Sequence, residues 1–170
     1  MLRILVLGCC LFLLGGVSGV AVAQSSIMST QQGDKRRDET AGPPIIFFAD
    51  LSADEESSEV YSPGVGRFEA SLDRKTLKLT WKVTYSNLTT PIKSAGIHGP
   101  QTVGGEAAVL MDLAKGTGLG SPIQGSQVIN EGELEYLLTG RLYVNILTSK
   151  YPSGELRGQI NRQRPKAPTT

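Results

Sequence analysis

The sequence predicts an all-β fold: an antiparallel, Greek-key-like β-sandwich interrupted by one short helix near residues 131–139. Three observations predict it. First, apolar and polar residues alternate with a period of two over 77–85, where Leu77, Leu79, Trp81, Val83 and Tyr85 interleave with Lys78, Thr80, Lys82 and Thr84. Successive strand side chains point to opposite faces, so such a run packs one face on a core and wets the other. Second, Phe68, Ala70 and Leu72 repeat the pattern against Arg67, Glu69 and Ser71. Third, the remaining apolar runs are short and separated by turn residues, with a single helical segment among them, which favours a sandwich or barrel.

Taken in order, residues 45–51 (IIFFADL) are apolar on both faces and read as a strand buried on two sides. The strands around 67–72 and 77–85 are joined by Asp73-Arg74-Lys75-Thr76, a hairpin turn. Residues 107–113 form a second doubly apolar strand. Gly116, Gly118 and Gly120 then make a loop, and 126–129 is a further short strand. Asn130 is placed to cap the free amides of a first helical turn, and Glu133 three residues on completes a capping box. Leu134, Leu137 and Leu138 share one face of this helix, which ends at Gly140 and plugs one end of the sandwich.

The last hairpin is the most informative stretch: residues 140–160, GRLYVNILTSKYPSGELRGQI. Pro152-Ser153-Gly154 is its turn, with Gly154 at positive φ. In the strand that follows, Leu156, Gly158 and Ile160 face the core, and Gly158 leaves room for a bulky neighbour such as Trp81. Glu155 and Arg157 lie two apart on the other face, placed to pair with each other or across strands. Residues 24–44 and 163–170 are polar and carry Pro or Gly without apolar periodicity, so they read as a flexible linker and a disordered tail around one domain over 45–162. There is no internal repeat.

Residues 1–23 read as a signal peptide. Arg3 supplies the positive start, residues 4–14 an apolar core, and Ala21-Val22-Ala23 a small-x-small site cut after Ala23. Two other readings fit less well. An uncleaved anchor would have four glycines and a serine in its span and no basic stop-transfer flank. A lipoprotein would have Cys9 as its lipidated residue, but the apolar core runs on past it. Cleavage removes Cys9 and Cys10, the only cysteines, so the exported chain has neither disulfide nor zinc–thiolate chemistry and is held by packing. Its destination is the periplasm or the exterior, with no membrane insertion after cleavage. The chain has 17 basic and 16 acidic residues, and this balance without a basic stripe argues against a nucleic-acid partner.

Several chemistries are short of residues. His98 is the only histidine, so any Ser–His–acid triad would rest on it, and no Gly-x-Ser-x-Gly elbow is present. A single imidazole in a cysteine-free chain holds copper or zinc tightly only with about three further ligands, and the nearest downstream acid is Glu106. His98 therefore reads as a strand-end residue bonded to backbone. Asp50, Asp54, Glu55, Glu56 and Glu59 form an acidic cluster that could in principle supply a glycosidase pair, but in a serine-rich loop it reads as a solvated charge run. The glycines of 104–105 and 116–125 lack the lysine–serine phosphate signature. Asn87-Leu88-Thr89 matches a glycosylation acceptor, a pattern common by chance.

Seven pieces occur in a familiar order: Leu51-Ser52-Ala53; Gly66 with Leu72-Asp73; Leu79-Thr80-Trp81 leading to Val83-Thr84-Tyr85; Ile97-His98-Gly99-Pro100; Ser121-Pro122-Ile123; Tyr143-Val144-Asn145; and the run from Gly154 to Ile160 that includes Glu155, Arg157 and Gly158. Together they resemble the CHRD, or chordin-type, family of extracellular domains over roughly 47–160. The resemblance implies a sandwich like those of superoxide dismutase and the immunoglobulins, and motif positions at His98, Gly99, Pro100, Tyr143, Asn145, Gly154, Glu155, Arg157 and Gly158. It brings no agreed activity. Many members have an H-x-H pair where this chain has Gly96 and His98, and a late histidine where it has Leu147. The expectation is a non-catalytic exported module that binds a protein or glycan at the cell envelope through loops 52–64 and 115–125, with no cofactor. The alternative is a metal-dependent redox protein degraded or re-liganded around His98. Nothing in the sequence fixes an oligomeric state.

Overall fold

A computed structural model describes residues 42–101 and 105–164. The predicted signal segment with Ala23, most of the predicted linker, and the last six residues lie outside the described residues. Among those described, no helix is long and apolar enough to cross a membrane.

The fold is all-β, with nine strands among the described residues, in chain order: β1 (Ile45–Ser52), β2 (Val65–Leu72), β3 (Lys78–Ser86), β4 (Ile92–His98), β5 (Val109–Asp112), β6 (Ile123–Val128), β7 (Tyr143–Thr148), β8 (Leu156–Gln159) and β9 (Asn161–Arg162). They pair antiparallel as one curled sheet in the order β5-β4-β7-β8-β1-β2-β3-β6, with β9 also on β1. The halves β6-β3-β2-β1 and β5-β4-β7-β8 close over a common core that includes Phe47, Phe68, Leu79, Trp81, Ile97, Val144, Ile146 and Leu156. The links from β3 to β4, from β5 to β6 and from β6 to β7 cross between the halves, which is the Greek-key-like feature. Trp81 ties them together, its indole donating to the Leu113 carbonyl at 3.1 Å. The halves also join directly where Ser52 of β1 pairs with Arg157 of β8.

The alternating strands appear where the period of two places them. In β2 and β3, Phe68, Ala70, Leu72, Leu79, Trp81 and Val83 are buried and register against one another. Asp73 closes the hairpin, its Oδ1 accepting from the backbones of Lys75 and Thr76 and from the Thr76 hydroxyl. Leu77 departs from the expectation: it sits in the turn at φ 52° rather than in the strand. The doubly apolar runs also differ. β1 buries only alternate residues, leaving Ile46 exposed and Phe48 under the Arg67 guanidinium. Residues 107–113 yield only the four-residue β5, an edge strand with Val109 60 % exposed. Position in the sheet decides outer-face burial, and period alone does not encode it. The strand read at 126–129 begins earlier, at Ile123.

Helix α1 (Glu131–Leu138) has the predicted box: Asn130 Oδ1 accepts from Glu133 N at 2.9 Å, and Glu133 Oε2 accepts from Asn130 N at 2.8 Å. Leu137 enters the core, but Leu138 is exposed. Gly140 ends the segment at φ 67°. Asn130→Ala is expected to cost about 1 kcal/mol of stability, read as a lower urea midpoint at unchanged slope. At the carboxyl end, pairing extends past β9, since Gln163 N donates to Ile46 O.

Candidate functional site

Register brings the motif positions together. Gly96 pairs with Asn145 and His98 with Tyr143 between β4 and β7; Asn145 pairs with Arg157 between β7 and β8. Directly opposed antiparallel residues share a face, so His98, Tyr143, Asn145 and Arg157 form a polar patch on the outer side of these strands, opposite the core. This outer face is nevertheless buried: His98, Tyr143, Asn145 and Arg157 are all below one-tenth exposed. Segments 53–64 and 105–108 roof it.

The aromatic part is a column. The His98 and Tyr143 rings stack at 5.2 Å and 21°, and the Arg157 guanidinium lies 3.7 Å over the other side of Tyr143. His98 ends β4, and its Nδ1 lies 3.0 Å from the Ala107 carbonyl. The Tyr143 hydroxyl accepts from Ala107 N. No serine, threonine or acid hydrogen-bonds the imidazole among the described residues. Nor is there, among them, a group of three or more His, Cys, Asp or Glu side chains close enough to hold a metal ion. A Cβ at Gly96 would stand 3.3 Å from His98 Nε2 and 3.2 Å from Met111 O, so this chain fills the space beside the imidazole with its own backbone. Gly99 and Pro100 follow β4, Gly99 N donating to Ala108 O.

Glu155 does something the sequence did not indicate. It makes no ion pair with Arg157. Its carboxylate is wholly buried and accepts from Ser62 Oγ (2.6 Å), Thr89 N (2.7 Å), Thr89 Oγ1 (2.9 Å) and Thr148 Oγ1 (2.5 Å). Burial alone would raise its pKa; these four donors outweigh that and hold it below the usual carboxylate value. Glu155 thus pins three separate segments, 53–64, 86–92 and 148–155, at one end of the sandwich.

The glycines of the motif are close-approach positions. Gly154 adopts φ 151° in the predicted turn, and a Cβ there would strike Glu56 and the Asn145 amide. Gly158 leaves room for the β1 backbone at Asp50 rather than for Trp81; the glycine against the Trp81 ring is Gly125.

Glu56 is the residue that sequence reading missed. The acidic cluster divides: Asp54 and Glu55 are exposed and Asp50 pairs with Arg67, but Glu56 turns inward. A single 3₁₀ turn over Ala53–Glu55 brings this about, with Ala53 buried and Glu56 N donating to Ala53 O. Glu56 Oε1, Asn145 Oδ1 and Arg157 Nη2 are each buried without a hydrogen-bond partner among the described residues. Burial raises the Glu56 pKa to about 7, Arg157 pulling it down and Glu106 pushing it up. Only the cross-strand placement of Asn145 and Arg157 makes Glu56 special, and no local pattern carries that.

One family model, that of the CHRD domain, matches residues 47–160. No curated protein and no solved structure matches the chain.

Proposed function

Because this chain belongs to the CHRD domain family, we propose that it is an exported, non-catalytic module that binds a protein or glycan at the cell envelope. The observation that carries this reading is where its polar motif residues are spent. His98, Tyr143, Glu155 and Arg157 are buried in contacts with one another, with hydroxyls and with backbone. The hydroxyls on Glu155 belong to Ser62, Thr89 and Thr148, whereas His98 bonds the Ala107 carbonyl. What the domain offers to a partner is its loops, as rigid sandwiches commonly do.

Segments 53–64 and 115–122 both lead into strands at the end of the sheet where β3 finishes. Tyr85 at the end of β3 donates through its hydroxyl to Leu119 O, while its neighbour in register is Gly66 of β2. Tyr61 stands 73 % exposed there, and the Tyr151 hydroxyl donates to its carbonyl. Large aromatics that keep one face in solvent favour partner contacts. In this reading the signal segment is removed after Ala23 and the module resides in the periplasm or outside the cell, without cofactor.

Cross-linking and capture from an envelope fraction with the tagged protein test the proposal. A specific protein or glycan that is recovered with the wild type and lost with Tyr61→Ser is the expected result. Recovery of no specific partner overturns it. So does stoichiometric copper, zinc or iron in the purified protein that disappears in His98→Ala.

A further inference from the structure

We propose that Glu56 is a proton-operated latch: its neutral carboxyl donates to Asn145 Oδ1 and holds the turn at 53–56 against β7 and β8, and loss of that proton releases it. The geometry is a cluster of orphaned buried atoms. Glu56 Oε1 and Asn145 Oδ1 both crowd the space above Gly154 Cα, and neither has a partner among the described residues. One N–H of the Asn145 amide donates to Ser153 O at 3.0 Å. Exchanging the places of Oδ1 and Nδ2 to put the nitrogen against Glu56 would give up that bond. Two acceptor oxygens gathered over one glycine are satisfied by a single added proton, which the carboxyl can carry.

The charges around Glu56 set where the latch works. Arg157 on β8 favours the ionised form, and Glu106 on the segment before β5 opposes it. Asp54 and Glu55, on the same turn as Glu56, are exposed. Glu155, next to Gly154, is committed to Ser62, Thr89 and Thr148. His98 on β4 lies behind the Tyr143 ring, with Arg157 on the ring's other side. Burial is the largest influence, so the proton leaves Glu56 near neutrality rather than in acid. Once ionised, the carboxylate faces Asn145 acceptor to acceptor, and burial, which outweighs the attraction of Arg157, drives it out toward water. Ser57 donating to Glu106 and Ser62 donating to Glu155 hold the rest of the segment, so release is confined to the turn. The latch goes beyond the binding reading and does not depend on it.

Nuclear magnetic resonance on the purified protein tests this. The Glu56 carboxyl carbon and the Asn145 side-chain amide are followed separately against pH. The expected result is a Glu56 midpoint about 7 instead of 4.5, with the Asn145 amide titrating alongside it. Backbone exchange protection over 53–57 should fall across the same range. Glu56→Gln, whose amide nitrogen donates where the carboxyl did, should keep protection at all pH values and abolish the Asn145 titration. A Glu56 midpoint near 4.5 overturns the latch. An Asn145 titration that persists in Glu56→Gln also overturns it.

Discussion

Replacing Glu155 by alanine is expected to lower the unfolding free energy by about 3–5 kcal/mol, because it takes the acceptor from the buried Thr148 hydroxyl and the half-buried donors of Ser62 and Thr89 at once. Ser62, Thr89 and Thr148 would each face a space with no acceptor. A domain of this size has about 5–15 kcal/mol in total, so the variant should unfold at a markedly lower urea concentration. Glu155→Gln separates charge from shape. It keeps one acceptor oxygen and presents an amide to hydroxyls that can rotate to accept from it. Its expected cost is about 1–2 kcal/mol. A loss near zero in Glu155→Gln beside a full loss in Glu155→Ala would show that the side chain fills space and does not organise the three segments through its carboxylate.

The same carboxylate gives acid sensitivity. Its folded pKa is lowered, so its contribution is present above the ordinary value of 4.5 and is lost as pH falls through the folded value. Glu56 has the opposite sign. Its folded pKa is raised to about 7, so its contribution is complete below 4.5 and is lost as pH rises through 7. Together the two favour a stability maximum at about pH 5, on the acid side of neutrality. Urea midpoints measured across the range should lose the acid limb in Glu155→Ala and the limb toward neutrality in Glu56→Gln.

What sequence revealed and what it hid follow one division. Local spacing was legible: the alternation of β2 and β3, the Asn130–Glu133 box and the Gly154 turn all depend on neighbours within a few residues. Outer-face burial was not, because it depends on which strands lie at an edge. That is why 45–51 and 107–113 looked alike, although β1 sits inside the sheet and β5 at its rim. The family motif marked Tyr143, Asn145, Glu155 and Arg157, yet their partners come from residues far along the chain. Glu155 bonds Ser62 and Thr89, and Arg157 lies over Tyr143. Glu56 carried no signal at all. It is one acid among five, singled out by a turn whose inward aim is set by buried Ala53 and by the seam between β1 and β8.

That seam gives the second large effect. Gly158→Ala is expected to cost about 3 kcal/mol, since the new Cβ would overlap the Asp50 carbonyl oxygen and press on Leu51. A flexible side chain could give way, but here the obstacle is the β1 backbone, itself paired along its whole length with β2. Relief therefore requires β8 to move off β1, which opens the contact between Ser52 and Arg157 that joins the two halves. Gly120→Ala is the control, because a Cβ there meets nothing within 4 Å; it should change stability by less than about 0.5 kcal/mol. The movement of β8 has a second readout. Arg157 and the turn that carries Glu56 are both anchored at the seam, so prising it apart re-solvates the Glu56 carboxyl. In Gly158→Ala, provided it folds, the Glu56 midpoint should fall from about 7 toward 4.5. A variant that loses stability while Glu56 still titrates near 7 would show that the strain is absorbed elsewhere along β1.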